Sequence, residues 1–268
     1  MNESLTSGSI VVGIDGSQAA IRATLWALDE AVSRDVPLHL LYVIEQVDGH
    51  EADELAIAQT AVRRAIAAVE DTGRPVKIET EIDQGPPLAS LTRASESAAM
   101  VCVGGAGLRH GQPGRLGSTA AALTISARCA VAIIRGHDDY HRQPGQGIVV
   151  EVEGSADNYV LLGTAREEAR LRNAAVQAVF CGRAISGLDR GLDRCSRRYP
   201  RLGVESARVG SLLDYLACNG RSVQLLIVDS HNQHLQELVG PAGRAILQDS
   251  DCSLLVVNRH ICEMAERL

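Results

Sequence analysis

Residues 10–17 read IVVGIDGS, and residues 148–155 read IVVEVEGS. Five of these eight positions are identical, which marks an internal repeat. Each copy is a short apolar run closed by turn residues and followed by a segment of helical periodicity. In the first copy Ile21, Leu25, Leu28 and Val32 recur at intervals of three and four, predicting one buried helix face. In the second, Leu161, Ala165, Ala169 and Ala175 follow a stretch rich in Arg and Glu. A strand then follows in each copy, over 38–44 and 175–181.

Moving outward, residues 100–105 (MVCVGG) and 225–230 (LLIVDS) are apolar runs of strand length. Last strands are expected over 131–135 and 253–258, preceded by the matching pieces Arg128-Cys129-Ala130 and Asp251-Cys252-Ser253. The stretch 136–147, GHDDYHRQPGQG, carries Gly, Pro and charge without apolar period and reads as a linker. The expected organisation is therefore a domain over 1–137, a linker over 138–147 and a second domain over 148–268. Each half alternates strand and helix, which predicts an α/β fold: two doubly wound, Rossmann-like domains with five-stranded parallel sheets. Leu55, Ala58, Val62, Ile66 and Val69 make the second long helix of the first half amphipathic. Its counterpart near 186–199 is shorter and Arg-rich.

Composition narrows the function. Aromatic residues make up only 3% of the 268, so the core is built from aliphatic side chains and the surface lacks stacking platforms for single-stranded nucleic acid. A net charge of −7 disfavours duplex nucleic acid and anionic membranes as partners. No apolar run approaches the roughly 18 residues that span a bilayer, and Met1–Ser9 lacks a signal-peptide pattern. A cytoplasmic protein is expected. The seven cysteines are dispersed without a CxxC pair, which suggests reduced thiols packed as small hydrophobes.

In a doubly wound sheet the ligand crevice lies beyond the carboxyl ends of the strands, where strand order reverses. Strands one and four flank that point. After strand four come Gly104-Gly105-Ala106-Gly107, nine further residues, and Gly117-Ser118-Thr119 opening a helix. Glycines let the backbone approach a phosphate, and a helix N-terminus offers it free N–H groups. Ser118 and Thr119 add hydroxyls, while Arg109 and Arg115 add charge.

The spacing G-x2-G-x9-G-S, met by Gly104, Gly107, Gly117 and Ser118, resembles the ATP-binding signature of the universal stress protein family. Asp15, ending strand one, resembles that family's nucleotide-contacting Asp, and Val43 in LLYVIE matches the position whose backbone meets the adenine. The helix wording from Ala23 to Ala27 and the tandem layout are similar to mycobacterial two-domain members. The resemblance implies an adenine nucleotide alpha hydrolase-like sheet. It implies adenine and ribose near Asp15, Val43 and Gly104, phosphates over Gly107, Gly117, Ser118 and Thr119, and Mg2+ held through the phosphates. It also implies a regulator or sensor in stress or dormancy, with at most weak ATPase activity, an unknown protein partner, pairing of the two domains and a possible homodimer. No catalytic residue is assigned; His110 in the glycine loop reads as a solvated side chain.

Competing motifs fit less well. No GxxxxGK[ST] exists, and Gly13-Ile14-Asp15-Gly16-Ser17 lacks the third glycine of a dinucleotide fingerprint. Ser17 also reads simply as a helix cap. An ATP pyrophosphatase would show SGGxDS after strand one, and a flavoprotein-like module would be yellow. A scaffold with a vestigial nucleotide site is the remaining class. In the second half Glu153 replaces Asp15, the glycine loop becomes Asp229-Ser230-His231-Asn232, and Gly240 arrives two residues early. Weak or no ATP binding is expected there. His231 and His234 near Asp229 lack an evident further ligand in the sequence, so no metal is assigned. The last strands, with Ile133, Ile134, Val256 and Val257, are expected to carry the domain pairing.

Overall fold

The computed structural model describes residues 8–45, 51–107, 116–136, 146–152, 158–181, 205–250 and 252–258. The chain divides into two compact units, Met1–Arg135 and Gly136–Leu268. Within the N-terminal unit the order is β1 (Ile10–Ile14), α1 (Gln18–Arg34), β2 (Leu38–Ile44), α2 (Glu51–Glu70), β3 (Ile78–Gln84), α3 (Pro87–Ala94), β4 (Met100–Gly104), α4 (Ser118–Ser126) and β5 (Ala130–Ile134). The sheet is parallel in the order β3-β2-β1-β4-β5. The chain leaves β1 toward one edge and returns to its other side at β4, so a crevice opens between those two strands.

In the C-terminal unit the described elements are β6 (Gly147–Val152), α5 (Tyr159–Arg172), β7 (Val176–Cys181), β8 (Glu205–Val209), α6 (Leu212–Asn219), β9 (Val223–Asp229), α7 (Gln233–Val239), α8 (Pro241–Asp249) and β10 (Ser253–Val257). Its strands run parallel in the order β10-β9-β6-β7-β8, the same winding as the first unit. The helix expected near 186–199, Glu153 and most of the expected linker lie outside the described residues.

The repeat is visible in detail. Ile10 pairs with Leu38 and Ile148 with Val176, so the first two strands of each unit share a register. Helix α1 closes on Asp35 at φ 54° and α5 on Asn173 at φ 48°. Both are Asx residues, which tolerate the left-handed region better than other L-residues. Each helix also carries an i,i+4 ion pair on the same turn, Glu30–Arg34 and Glu168–Arg172.

The central strands are aliphatic because helices cover both faces: β1 is buried throughout except for Gly13. Edge strand β3 instead reads IETEIDQ, with no fully buried residue, and its Glu81 and Asp83 pair with His39 at 3.3 Å and Arg93 at 2.5 Å. Charge of this kind keeps an open edge from recruiting another strand. Two expected helix faces shift. On α1 the deepest stripe is Ala20, Ala23, Ala27 and Ala31, with Leu28, while Ile21, Leu25 and Val32 are half-buried. Small side chains let the helix axis come close to the sheet, which leaves the larger ones at the flanks. On α2, Ala58, Val62 and Val69 are buried as expected, but Leu55 is 43% exposed.

Candidate functional site

The turn after β1 is fixed by its own side chains. The Ser17 N–H donates to Asp15 Oδ1 at 2.9 Å, Gly16 takes φ 84°, and Ser17 Oγ accepts from the Ala20 N–H at 3.1 Å as the N-cap of α1. Capping therefore accounts for Ser17. It does not account for the second oxygen of Asp15, which faces the glycine loop: a Cβ added to Gly107 would lie 2.8 Å from Oδ2.

The three signature glycines are glycines for different reasons. At Gly104 a Cβ would meet the Ala19 backbone at 2.7 Å, so this glycine lets α1 lie against β4. Gly107 leaves room for the Asp15 carboxylate. Gly117 stands in extended backbone at φ −64°, ψ 151°, and a Cβ there would meet only Gly105 O at 3.8 Å. It needs neither a special conformation nor protein space, and a methyl there would project into the open. Gly117 N–H donates to Gly105 O at 2.8 Å, joining the two ends of the loop, and α4 starts at Ser118 without a side-chain cap. The first-turn N–H groups of α4 are the kind that anions satisfy.

These residues surround one cavity of about 420 Å³ at the carboxyl ends of the strands, within the range of small-molecule sites. Asp15, Val43, Gly104, Gly107, Gly117, Ser118 and Thr119 all line it. Residues not singled out in the sequence line it too. Gly13 and Leu41 come from the central strands, and Pro87 and Leu91 come from α3. One side is thus an apolar slot, and the other is glycine backbone with two hydroxyls. The lining carries three carboxylates, Asp15, Glu45 and Glu54, and no Lys or Arg among the described lining residues. Arg109, His110 and Arg115 lie outside the described residues.

Helix α3 is held over the slot by Asp83, which accepts from Ser90 Oγ at 2.6 Å and from Arg93 at 2.5 Å. The Ser90 hydroxyl first, then the Gln84 N–H and Arg93, hold the Asp83 carboxyl below its ordinary range.

The corresponding place in the C-terminal unit is filled. By strand register Glu151 stands where Gly13 stands, Cys181 where Val43 stands, and Asp229 where Gly104 stands. Asp229 is buried and accepts from the His231 N–H at 2.8 Å, closing a tight turn. The expected degenerate loop continues as helix α7 instead. Carbonyls from the end of α7 cover the start of α8, where a Cβ on Gly243 would sit 2.3 Å from Leu238 O. Pro241 at the first position of α8 also lacks an N–H to offer.

The two histidines part company. His231 is exposed and lies near Ser230 and Asp229, whereas His234 Nδ1 lies 2.6 Å from Glu151 Oε1. Cys181 sits beside the same carboxylate. Burial first, then the charge of Glu151 and the hydrogen bond it accepts from the thiol, then the Glu237 charge, push that thiol up to about 12. The sequence reading missed Glu151 and Cys181 because each lies inside a strand and far from the histidines.

The model of the universal stress protein family matches residues 7–135. A universal stress protein of Mycobacterium tuberculosis is 50% identical over 97% of this chain and 99% of its own. A second from that organism is 42% identical over 90% of this chain and 94% of its own. Among solved structures, a universal stress protein from Archaeoglobus fulgidus superposes with a TM-score of 0.72 at 15% identity, covering 96% of this chain and 98% of that one. At that identity the likeness concerns the fold.

Proposed function

Because the chain belongs to the universal stress protein family, we propose that its N-terminal unit binds ATP and that the protein acts as a nucleotide-dependent regulator or sensor in a stress or dormancy response. The observation that carries this reading is the single cavity shared by Asp15, Val43, Gly104, Gly107, Gly117, Ser118 and Thr119. Its apolar slot suits a flat base. Asp15 offers a carboxylate to ribose hydroxyls, and the start of α4 offers N–H and O–H donors to a polyphosphate. The three carboxylates of the lining would repel a bare triphosphate, which favours the Mg2+ complex, with the ion held through the phosphates. Hydrolysis needs a group that positions water. The described lining supplies carboxylates but no assigned base, so turnover is at most slow. Coupling to a protein partner, and pairing of the domains or of two chains, belong to the same proposal. No helix among the described residues is long and apolar enough to cross a membrane.

The test is to denature the purified protein, identify released nucleotide by mass spectrometry, and titrate ATP into wild type and Gly117→Ala. About one nucleotide per chain is expected, with affinity weakened about tenfold in the variant. Two per chain would overturn the reading of the C-terminal unit. No nucleotide and no binding on titration would leave an interaction scaffold with a vestigial site.

A further inference from the structure

We propose that the C-terminal unit holds a transition-metal ion of the Zn2+ class between Glu151, Cys181 and His234. One ligand atom from each lies within 4.8 Å of the others. The three come from the carboxyl ends of β6 and β7 and from the first turn of α7. A carboxylate, a thiolate and an imidazole form a mixed set that suits Zn2+ and disfavours Mg2+ or Ca2+.

A second observation points the same way. Glu151 is 1% exposed in a strand whose neighbours are Val150 and Val152; its Oε2 is buried outside standard hydrogen-bond geometry, and the Cys181 thiol is the further group that meets the carboxylate. A buried carboxylate with a poorly satisfied oxygen is costly, and a bound ion is one of the few remedies. His234 satisfies only Oε1. A divalent cation would satisfy the carboxylate and convert the thiol to a thiolate, releasing its proton to solvent.

In a tetrahedral site, bonds of about 2.0–2.3 Å place ligand atoms about 3.3–3.6 Å apart. The present 2.6 Å between His234 Nδ1 and Glu151 Oε1 must therefore open by about 1 Å for the ion to enter. His234 is 23% exposed, so its ring borders solvent into which it can shift. Three protein ligands leave the fourth position to water or an outside ligand, the pattern of zinc sites that keep an open position. The proposal is independent of ATP binding, since none of the three residues belongs to the N-terminal unit.

The test uses the full chain, stripped of metal by chelator and reduced, carrying Cys218→Ser to remove an exposed competing thiol. Co2+ titration should reach one equivalent per chain. It should give the visible bands of a tetrahedral ion and the near-ultraviolet band of a thiolate bound to cobalt, and Zn2+ should displace it. Cys181→Ser should abolish the thiolate band. His234→Ala should weaken affinity by more than about tenfold, since losing even a partner outside the ligand set costs about 10–100-fold. Circular dichroism checks that both variants fold. Failure to bind Co2+ and Zn2+ would overturn the proposal and leave a His234–Glu151 ion pair alone. Binding that survives both variants with its thiolate band intact would place the metal elsewhere and overturn it equally.

Discussion

At the crevice of the N-terminal unit stand Gly13, Val43 and Gly104, and the same three places in the C-terminal unit hold Glu151, Cys181 and Asp229. The strands around them share register and order, and the helices that follow close on matching Asx residues. Chemistry nevertheless differs completely. In the first unit, absent side chains leave a cavity against the uncapped start of α4. In the second, acids and a thiol occupy that depth, and α7 covers the start of α8 with its carbonyls. A doubly wound sheet sets where a site is, while side-chain volume at a few strand ends sets what it takes.

The hardest test of this contrast is to move it. Gly13→Glu in the N-terminal unit puts an unpaired charge where a Cβ already meets Leu91 and Val103 at 3.1 Å. It should cost about 3–5 kcal/mol in urea unfolding and abolish ATP binding. A stable variant that still binds would break the equivalence. Next, Gly104→Ala should cost about 1–3 kcal/mol through overpacking against Ala19. Gly117→Ala, with open space around it, should stay within about 0.5 kcal/mol of wild type. Equal losses at the two sites would mean the glycines share one role.

The same Gly117→Ala protein should lose about tenfold in ATP affinity, or about 1.4 kcal/mol, on calorimetric titration. Removing the cap with Ser17→Ala should lower stability by about 1 kcal/mol, read as a shift in denaturation midpoint. The smallest effect concerns Cys181, whose thiol stays protonated near neutrality because its pKa stands at about 12. In metal-free protein Glu151→Gln removes one of the charges that raise it, so alkylation of Cys181 at alkaline pH should quicken. The gain should be modest, since burial is the larger cause. An unchanged rate would separate the thiol from the carboxylate.

Much of the candidate site was legible in the sequence because it lies in local signals. Asp15-Gly16-Ser17 is a turn and cap written in three consecutive residues, and Gly104, Gly107 and Gly117 lie in one loop between a strand and a helix. Pro87 and Leu91 were not read as lining, because the tie of Asp83 to Ser90 and Arg93 that sets α3 over the slot is a tertiary contact. The α1 face was misplaced for a related reason: periodicity counts large apolar residues, whereas close packing selected the alanines. The repeat itself carries one further signal. Where IVVGIDGS and IVVEVEGS differ, Glu151 places a charge in the middle of an apolar strand.

By itself the sequence determined the repeat, the alternation of strand and helix and the position of the strand-switch crevice, because short-range periodicity and turn chemistry encode them. Only the tertiary structure decided which glycine yields to which neighbour. It also joined Glu151, Cys181 and His234, which lie 30 and 53 residues apart along the chain. Parallel strands deliver distant residues to one edge of the sheet, and no local pattern records which of them will meet there.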